Sequence, residues 1–179
     1  EAKFYGPAID IKVKDAIGRG WQGPTIQADF NLPERFDVDY VGPDGLHHRV
    51  VMVHRTVLGA IERFVGCLIE HYAGDFPLWF APIQMRILTI TDAHIDYAKK
   101  LQAQLLARSF RVECDTRNAK ISYKIREGTL EKIPYLLVVG DKEMEGSAVA
   151  VRSRKKGNEG MMLIDDFIKN AESEVREKR

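Results

Sequence analysis

The chain has 179 residues, of which 45% are hydrophobic and 30% charged, a composition of globular proteins that argues against disordered and fibrous classes. Lys and Arg number 27 and Asp and Glu number 26, so the net charge of +1 gives no overall field that would attract nucleic acid. No apolar run reaches the roughly 18 residues that a membrane span needs. No stretch is typical of a signal peptide, so we expect a cytoplasmic protein with no membrane partner.

The small net charge hides a difference between the two halves of the chain. Residues 1–85 hold 8 basic and 11 acidic side chains, whereas residues 86–179 hold 19 basic and 15 acidic ones. The change follows the segment 76–82, in which two prolines flank aromatic residues and which therefore reads as an extended connector. The sequence thus predicts two domains, 1–84 and 85–179.

The first half reads mainly as antiparallel strands. Alternation of apolar and polar residues predicts strands over 9–14 and 25–31. Two further strands, 36–40 and 49–53, flank the turn sequence Gly42-Pro43-Asp44-Gly45, which is typical of a hairpin. Apolar residues at helical spacing over 57–72 then predict a helix that is buried against the sheet and stops at Gly74.

The second half alternates strands and helices. The predicted elements, in chain order, are a strand over 86–90, a helix over 92–108, a strand over 110–114, a helix over 122–132, strands over 135–139 and 147–152, and a closing helix over 165–178. The order β-α-β-α-β-β-α predicts a three-layer α/β domain with a mixed sheet.

In the first half, four polar side chains could carry chemistry. His54 ends an apolar strand; as a zinc ligand it would need at least two more protein ligands, and a core histidine is the simpler interpretation. Arg63 lies in the apolar stretch of the helix and needs an anion or an aromatic face, which could be an ion-pair partner or a nucleotide. Gln22 and Gln27 flank a turn, where side-chain amides either face solvent or bind amines and hydroxyls.

In the second half, two basic clusters lie near strand ends, where ligands of α/β sheets usually bind. The first cluster comprises Arg117, Lys120, Lys124 and Arg126, and the second Arg152, Arg154, Lys155 and Lys156. Asn118 and the turn 140–143 add groups able to read base edges. We interpret these clusters as an RNA-binding surface; the alternative is a solvated charged face.

Motifs along the whole chain resemble those of the threonyl-tRNA synthetase family of class II aminoacyl-tRNA synthetases. The matching stretches are Phe4-Tyr5-Gly6-Pro7, Trp21-Gln22, Thr25-Ile26-Gln27, Asp29-Phe30, Leu32-Pro33, Val53-His54-Arg55, Gly59 through Glu62-Arg63-Phe64, Phe76-Pro77-Leu78-Trp79, Asp115, Arg117-Asn118, Lys120, Lys124-Ile125-Arg126, Pro134-Tyr135 and Gly140-Asp141-Lys142-Glu143. The segment from Gly59 to Arg63 is similar to motif 3 of class II enzymes. The resemblance implies an α/β (α+β) protein. It would consist of a partial antiparallel class II synthetase catalytic sheet with a buried helix, followed by a three-layer α/β anticodon-binding domain.

For the first half, the resemblance implies residues of an active site that takes threonine and ATP with its Mg²⁺. His54 matches one ligand of a zinc ion that binds the amino and hydroxyl groups of threonine. Tyr5 and Gln27 match residues around the threonine amino group. The ATP-site positions of the family are matched by Gln22, Thr25 and Arg63, the last as the catalytic arginine of motif 3, which stacks on adenine.

For the second half, the resemblance implies a domain that reads the anticodon of threonine tRNA. Its reading positions are matched by Asn118, Arg126, Glu143 and Arg152. The intact family enzyme is a homodimeric threonine–tRNA ligase. The alternative is a non-catalytic RNA-binding or regulatory module derived from the synthetase.

The chain also departs from the family pattern. Ala8 stands where the family usually has Lys, and Gly23-Pro24 follows Trp21-Gln22 where the family usually has Cys. Motifs 1 and 2 and two of the zinc ligands have no counterpart. We therefore expect the isolated chain to be inactive in threonine activation.

Overall fold

The computed structural model describes residues 5–178. The chain forms two compact units, residues 1–74 and residues 75–179. Among the described residues, no helix is long and apolar enough to cross a membrane.

The aromatic connector belongs to the second unit by its packing. The guanidinium of Arg111 donates to the carbonyls of Trp79 and Ala81, and the amide of Gln84 donates to the carbonyl of Leu78 at 2.8 Å. Leu78 is itself part of the core of this unit. Residues 75–84 thus cluster with the second unit. The domain limits 1–84 and 85–179 stay a prediction, because compactness and family boundaries need not coincide.

The first unit contains five strands and two helices in its described part. They are β1 (Ala8–Lys14), β2 (Gly20–Asp29), α1 (Asn31–Arg35), β3 (Asp39–Val41), β4 (His47–Arg49), β5 (Met52–Thr56) and α2 (Ile61–Tyr72). The order β1-β2-β5 forms an antiparallel sheet, and β3 pairs with β4 in a separate hairpin. The predicted hairpin turn at Gly42–Gly45 is therefore confirmed, but its strands are shorter than the predicted 36–40 and 49–53, and residues 52–56 pair with β2 instead. The predicted strand 25–31 also ends earlier, because α1 begins at Asn31.

The turn between β1 and β2 is organised by one carboxylate. Asp15 accepts hydrogen bonds from the backbone of Ile17 and Arg19, from the Arg19 guanidinium at 2.6 Å and from the indole N–H of Trp21 at 3.0 Å. Burial of this carboxylate opposes ionisation, but the hydrogen bonds from Trp21 and Arg19 outweigh it and lower the pKa of Asp15 to about 2.

Helix α2 differs from its prediction in two respects. It ends as expected before Gly74, but it begins at Ile61 and not at residue 57, and none of its residues is fully buried. Its apolar stripe, which includes Ile61, Val65 and Ile69, is exposed. The expected burial against the sheet is wrong for the described chain, because β1, β2 and β5 do not cover this stripe.

The second unit is built on one mixed sheet. Its elements are β6 (Met85–Thr89), a short 3₁₀ turn (Asp92–His94), α3 (Ile95–Ala107), β7 (Val112–Asp115), α4 (Ile121–Leu130), β8 (Tyr135–Val139), α5 (Asp141–Glu145), β9 (Ala148–Ser153), β10 (Gly157–Leu163) and α6 (Ile164–Arg176). The strand order is β10-β9-β8-β6-β7. Strands β6, β7 and β8 are parallel, and β9 and β10 are antiparallel to their neighbours.

Helices cover both faces of this sheet, which confirms the predicted three layers. One face of β6 and β8 packs with α3 and α6 around Leu101, Leu137 and Phe167. Alternate residues of the same strands, Leu88 and Leu136, face the other side and pack with α4. Helix α4 approaches the sheet closely at Gly128, where an added Cβ would lie 2.5 Å from a Leu136 methyl carbon.

We expect Leu137→Ala to destabilise the second unit strongly, because Leu137 has no exposed surface in the central sheet. Removal of a fully buried leucine leaves a cavity and costs about 2–5 kcal/mol of unfolding free energy. Leu130→Ala is the matched control, since Leu130 is 69% exposed. A urea titration followed by circular dichroism measures both variants, and equal losses for the two would contradict this packing.

We expect Asp15→Asn to weaken the first unit at neutral pH and to flatten its stability profile in acid. The pKa of this carboxyl is about 2 in the folded chain against an ordinary value of 3.8, so its stabilising effect is complete above pH 3.8 and is lost as the pH falls towards 2. Urea titrations between pH 7 and pH 2 test this. A variant whose profile parallels that of the wild type would contradict the assignment.

Candidate functional site

Polar residues of the first sheet share one face at a defined register. Gln27 on β2 lies directly opposite His54 on β5, and directly paired residues of an antiparallel sheet project to the same side. The ring of Tyr5 lies edge-on to the imidazole of His54, with 5.8 Å between centroids. The structure thus brings together the three residues predicted to surround threonine and zinc.

The orientation of His54 is fixed by a buried acid. Its Nε2 lies 2.7 Å from Oδ2 of Asp29, which has no exposed surface. The other carboxylate oxygen accepts the backbone N–H groups of Asn31 and Leu32. Burial opposes ionisation of Asp29, but the hydrogen bonds from His54 and the backbone lower its pKa below the usual value. With Nε2 donating to Asp29, Nδ1 is the nitrogen available to a metal.

His54 fits one position of a zinc site but does not make a site alone. Metal-bound histidines usually donate their second ring N–H to a carboxylate, as His54 does to Asp29. A zinc site needs at least three protein ligands. Between residues 5 and 178, no group of three His, Cys, Asp or Glu side chains could hold a metal ion. A zinc ion at His54 would therefore need ligands that these residues do not supply.

The two predicted ATP-site residues of β2 converge on a carboxylate. The amide of Gln22 donates to Oδ1 of Asp10 at 2.9 Å, and the hydroxyl of Thr25 donates to the same oxygen at 2.6 Å. A register shift in β1 after Asp10 separates their two pairing positions. Asp10 was not among the predicted residues, since its place in an alternating strand gave no sign of this role.

Arg63 lies beside the same strand. Its guanidinium carbon is 4.9 Å from the centre of the Trp21 ring, and its Nη1 is 3.4 Å from the carbonyl oxygen of Gln22. An exposed planar cation held on an aromatic face can also present its second face to a planar ligand. The segment before α2 also packs closely against β2 at Gly59, which has a φ of +70°. A Cβ at this position would lie 3.1 Å from the carbonyl oxygen of Gly23.

The predicted anticodon residues lie on two parts of the second unit. Asn118 is exposed in the loop after β7, and Glu143 lies on α5 after β8, so both are at the carboxyl edge of the parallel strands. Arg126 is on the exposed side of α4. Arg152 on β9 is opposite Leu136 and therefore shares the sheet face covered by α4, but it lies nearer the amino end of β8.

Glu143 is held by its own loop. One carboxylate oxygen accepts the backbone N–H of Gly140 at 3.0 Å, and the Tyr97 hydroxyl donates to the Glu143 carbonyl at 3.1 Å. The buried His94 imidazole lies 3.0 Å from the carboxylate of Asp141 in the same turn. These contacts fix the start of α5 and leave the second oxygen of the Glu143 carboxylate to accept a further donor.

Three cations of the two basic clusters are held by acids or carbonyls of the protein itself, although Arg117 stays exposed at the surface. Lys124 is buried, which corrects its interpretation as a phosphate-binding side chain. Arg117 forms ion pairs with Asp115 and with Glu127. In the second cluster, Arg154 forms an ion pair with Asp75 and donates to the carbonyls of Phe76 and Lys132. The remaining surface charge of both clusters is correspondingly smaller than the sequence suggests.

Comparisons with known proteins agree with this arrangement. Residues 82–174 match the family described as "Anticodon binding domain", and residues 1–72 match the "tRNA synthetase class II core domain (G, H, P, S and T)". The chain is 55% identical over 178 residues to a threonine–tRNA ligase of Clostridium botulinum (strain Okra / Type B1) and 54% identical to that of Clostridium acetobutylicum. Each match covers 99% of this chain and 28% of the relative, so the chain spans little more than a quarter of these proteins.

A solved structure is also similar to this chain. The crystal structure of the RNA-binding domain of threonyl-tRNA synthetase from Cryptosporidium parvum Iowa II superposes with a TM-score of 0.86 at 37% identity. The match covers 97% of this chain and 44% of that one. The chain therefore belongs to the threonyl-tRNA synthetase family, and it combines part of a class II core domain with an anticodon-binding domain.

Proposed function

We propose that the chain is part of a threonine–tRNA ligase, which activates threonine with ATP and transfers it to threonine tRNA. The observation that carries this proposal is the polar face of the first sheet, on which Gln27, His54 and Tyr5 come together. Family membership alone would not assign these residues to a substrate. Their convergence on one face supports the assignment.

In this proposal the first unit recognises threonine. Tyr5 and Gln27 would lie beside the amino group, and Nδ1 of His54 would be one ligand of a zinc ion whose other ligands this chain does not supply. A bound zinc ion would coordinate the amino and hydroxyl groups of threonine. A site built to bind a hydroxyl can reject valine, which an apolar pocket of the same size does poorly.

The same unit contributes to the ATP site. Gln22 and Thr25 are held beside each other by Asp10, and Arg63 lies next to Gln22 with an exposed guanidinium. We infer that Arg63 is the catalytic arginine, stacking on adenine and facing the phosphates of ATP and its Mg²⁺. Its contribution is positioning and electrostatic stabilisation, which carry most of the catalysis of phosphoryl chemistry.

The second unit is proposed to bind the anticodon of threonine tRNA. Asn118 and Glu143 would read bases at the carboxyl edge of the sheet, with Arg126 on the exposed side of α4 and Arg152 on the sheet face that α4 covers. Amide, carboxylate and guanidinium groups are the donors and acceptors that discriminate base edges in single-stranded loops. For the intact enzyme we further propose a cytoplasmic homodimer.

We expect Arg126→Ala and Arg152→Ala each to weaken binding of threonine tRNA by about 1–3 kcal/mol, the cost of one lost base contact. Binding of a transcript with an altered anticodon should change much less. The control is Lys100→Ala on α3, an exposed cation on the opposite face of the sheet from α4. Filter binding at fixed salt measures all four proteins. Unchanged affinity that is independent of the anticodon would exclude these two contacts.

We expect the isolated chain to show no threonine-dependent exchange between ATP and pyrophosphate. Among the described residues His54 has no companion ligands for zinc, and the chain spans only 28% of the ligases that it matches. A full-length threonine–tRNA ligase assayed in parallel is the positive control. Clear threonine-dependent exchange by the chain alone would overturn this expectation. Anticodon-dependent tRNA binding without exchange fits both a piece of the ligase and a non-catalytic module.

A further inference from the structure

The carboxyl ends of β6 and β7 enclose a lysine side chain that the proposed function does not use. Lys124 on α4 is 1% exposed. Its ammonium donates to the carbonyl of Thr89 at 2.9 Å, to the hydroxyl of Thr89 at 3.3 Å and to the carbonyl of Asp115 at 3.2 Å. An ammonium has three N–H donors, so all of them find acceptors here.

These acceptors mark the points at which two strands end. Thr89 is the last residue of β6 and Asp115 the last residue of β7. The Thr89 hydroxyl also donates to the Asp115 carbonyl at 3.3 Å, which ties the two strand ends directly. The ammonium therefore fixes three elements relative to one another: the ends of β6 and β7 and the middle of α4.

The same contacts reach the loop that carries Asn118. The Asp115 carboxylate lies 4.0 Å from the Lys124 ammonium and accepts the backbone N–H of Arg117 at 3.0 Å. It also accepts two hydrogen bonds from the Arg117 guanidinium, which in turn pairs with Glu127 on α4. Asn118 follows Arg117 directly, so the residue before it is held both by Asp115 at the end of β7 and by Glu127 on α4.

Helix α4 is oriented by the same side chain. Lys124 and the closely packed Gly128 are four residues apart and face the sheet together, whereas Arg126 between them faces solvent. A rotation or shift of the helix that moved Arg126 would have to break the hydrogen bonds of a buried charge, which is strongly unfavourable.

We infer that Lys124 is a positioning residue for anticodon reading: it acts through Asn118 and Arg126 and does not touch RNA. This inference rests on the proposed function of the second unit. It assigns to the ammonium a role in base discrimination that a phosphate-binding lysine would not have, because phosphate contacts carry no sequence information.

The test measures the affinity of the whole chain for a threonine tRNA transcript and for a transcript with two anticodon bases exchanged. Lys124→Met keeps the length and apolar stem of the side chain but removes the ammonium. We expect it to reduce the ratio of the two affinities about tenfold, as loss of a base contact does. Lys100→Met, which removes an exposed charge on α3, should leave the ratio unchanged.

A double-mutant cycle separates positioning from general destabilisation. If Lys124 acts through Asn118, Asn118→Ala should reduce the ratio of the two affinities about tenfold in the wild type. In the Lys124→Met background the same substitution should reduce this ratio less than about twofold. Arg152→Ala, on β9, should cost the same in both backgrounds. A merely structural role of Lys124 would leave both pairs additive, and so would a direct phosphate contact.

Thr89→Val is the second variant, for the case in which Lys124→Met does not fold by circular dichroism. It removes one acceptor of the ammonium and the hydrogen bond between the strand ends, and we expect an intermediate loss of discrimination. Full discrimination in a folded Lys124→Met or Thr89→Val protein, or additive losses with Asn118→Ala, overturns the inference. If the wild-type chain itself does not distinguish the two transcripts, the proposed function fails, and the inference fails with it.

Discussion

The register between β2 and β5 determines which side chains meet on the first sheet. Gln27 is paired with His54, and Asp29 is paired with Met52 two residues further along. A slip of one residue would send Gln27 and His54 to opposite faces, because side chains alternate along a strand. The hydrogen bond from His54 to the buried Asp29 joins the same two strands and would be lost in the slipped pairing. The contact that orients the imidazole thus also favours the register that brings it beside Gln27.

In the second unit, helices on both faces of the sheet limit where polar side chains can meet a ligand. A sheet packed on both faces leaves its polar backbone groups accessible only at the edges, so chemistry has to lie at strand ends or on helix surfaces. Asn118 and Glu143 follow the ends of β7 and β8, and both loops are held by backbone N–H groups that donate to carboxylates. Ordered loops reduce the entropy lost when a flexible RNA loop binds.

Much of this architecture could be predicted from the sequence. Apolar runs and helical periodicity located β6, β8, α3 and α6, because the hydrophobic pattern that defines these elements is also what their core contacts require. Strand β10 (Gly157–Leu163) and helix α5 (Asp141–Glu145) were missed. β10 contains two glycines with positive φ and a register shift, and α5 is short and mostly charged, so neither has a regular apolar pattern.

The candidate site was predictable where a residue type matched a family motif and not where its role depends on a distant partner. Asp10 and Asp29 are ordinary strand residues until β1, β2 and β5 pair. Lys124 resembles a surface cation in the sequence because its acceptors are the ends of two strands, on Thr89 and Asp115, which only the folded sheet brings to it. The exposed stripe of α2 is a case in which a clear pattern led to a wrong contact. Its apolar periodicity predicts a buried helix face, but periodicity does not identify the residues that would bury it.

Internal pairing of charges also changes what the net charge of the second unit means. Residues 75–179 hold 19 basic and 16 acidic side chains, a surplus of three positive charges. Arg117, Lys124 and Arg154 are turned towards acids or carbonyls of the protein itself. Each phosphate contact contributes a slope of roughly 0.7–0.9 to the salt dependence of nucleic-acid binding, so each cation held by the protein itself lowers the largest slope that this unit could show with RNA. In the proposed function, selectivity would then rest more on hydrogen bonds to bases, and these need the positional precision that we infer for the buried network around Lys124.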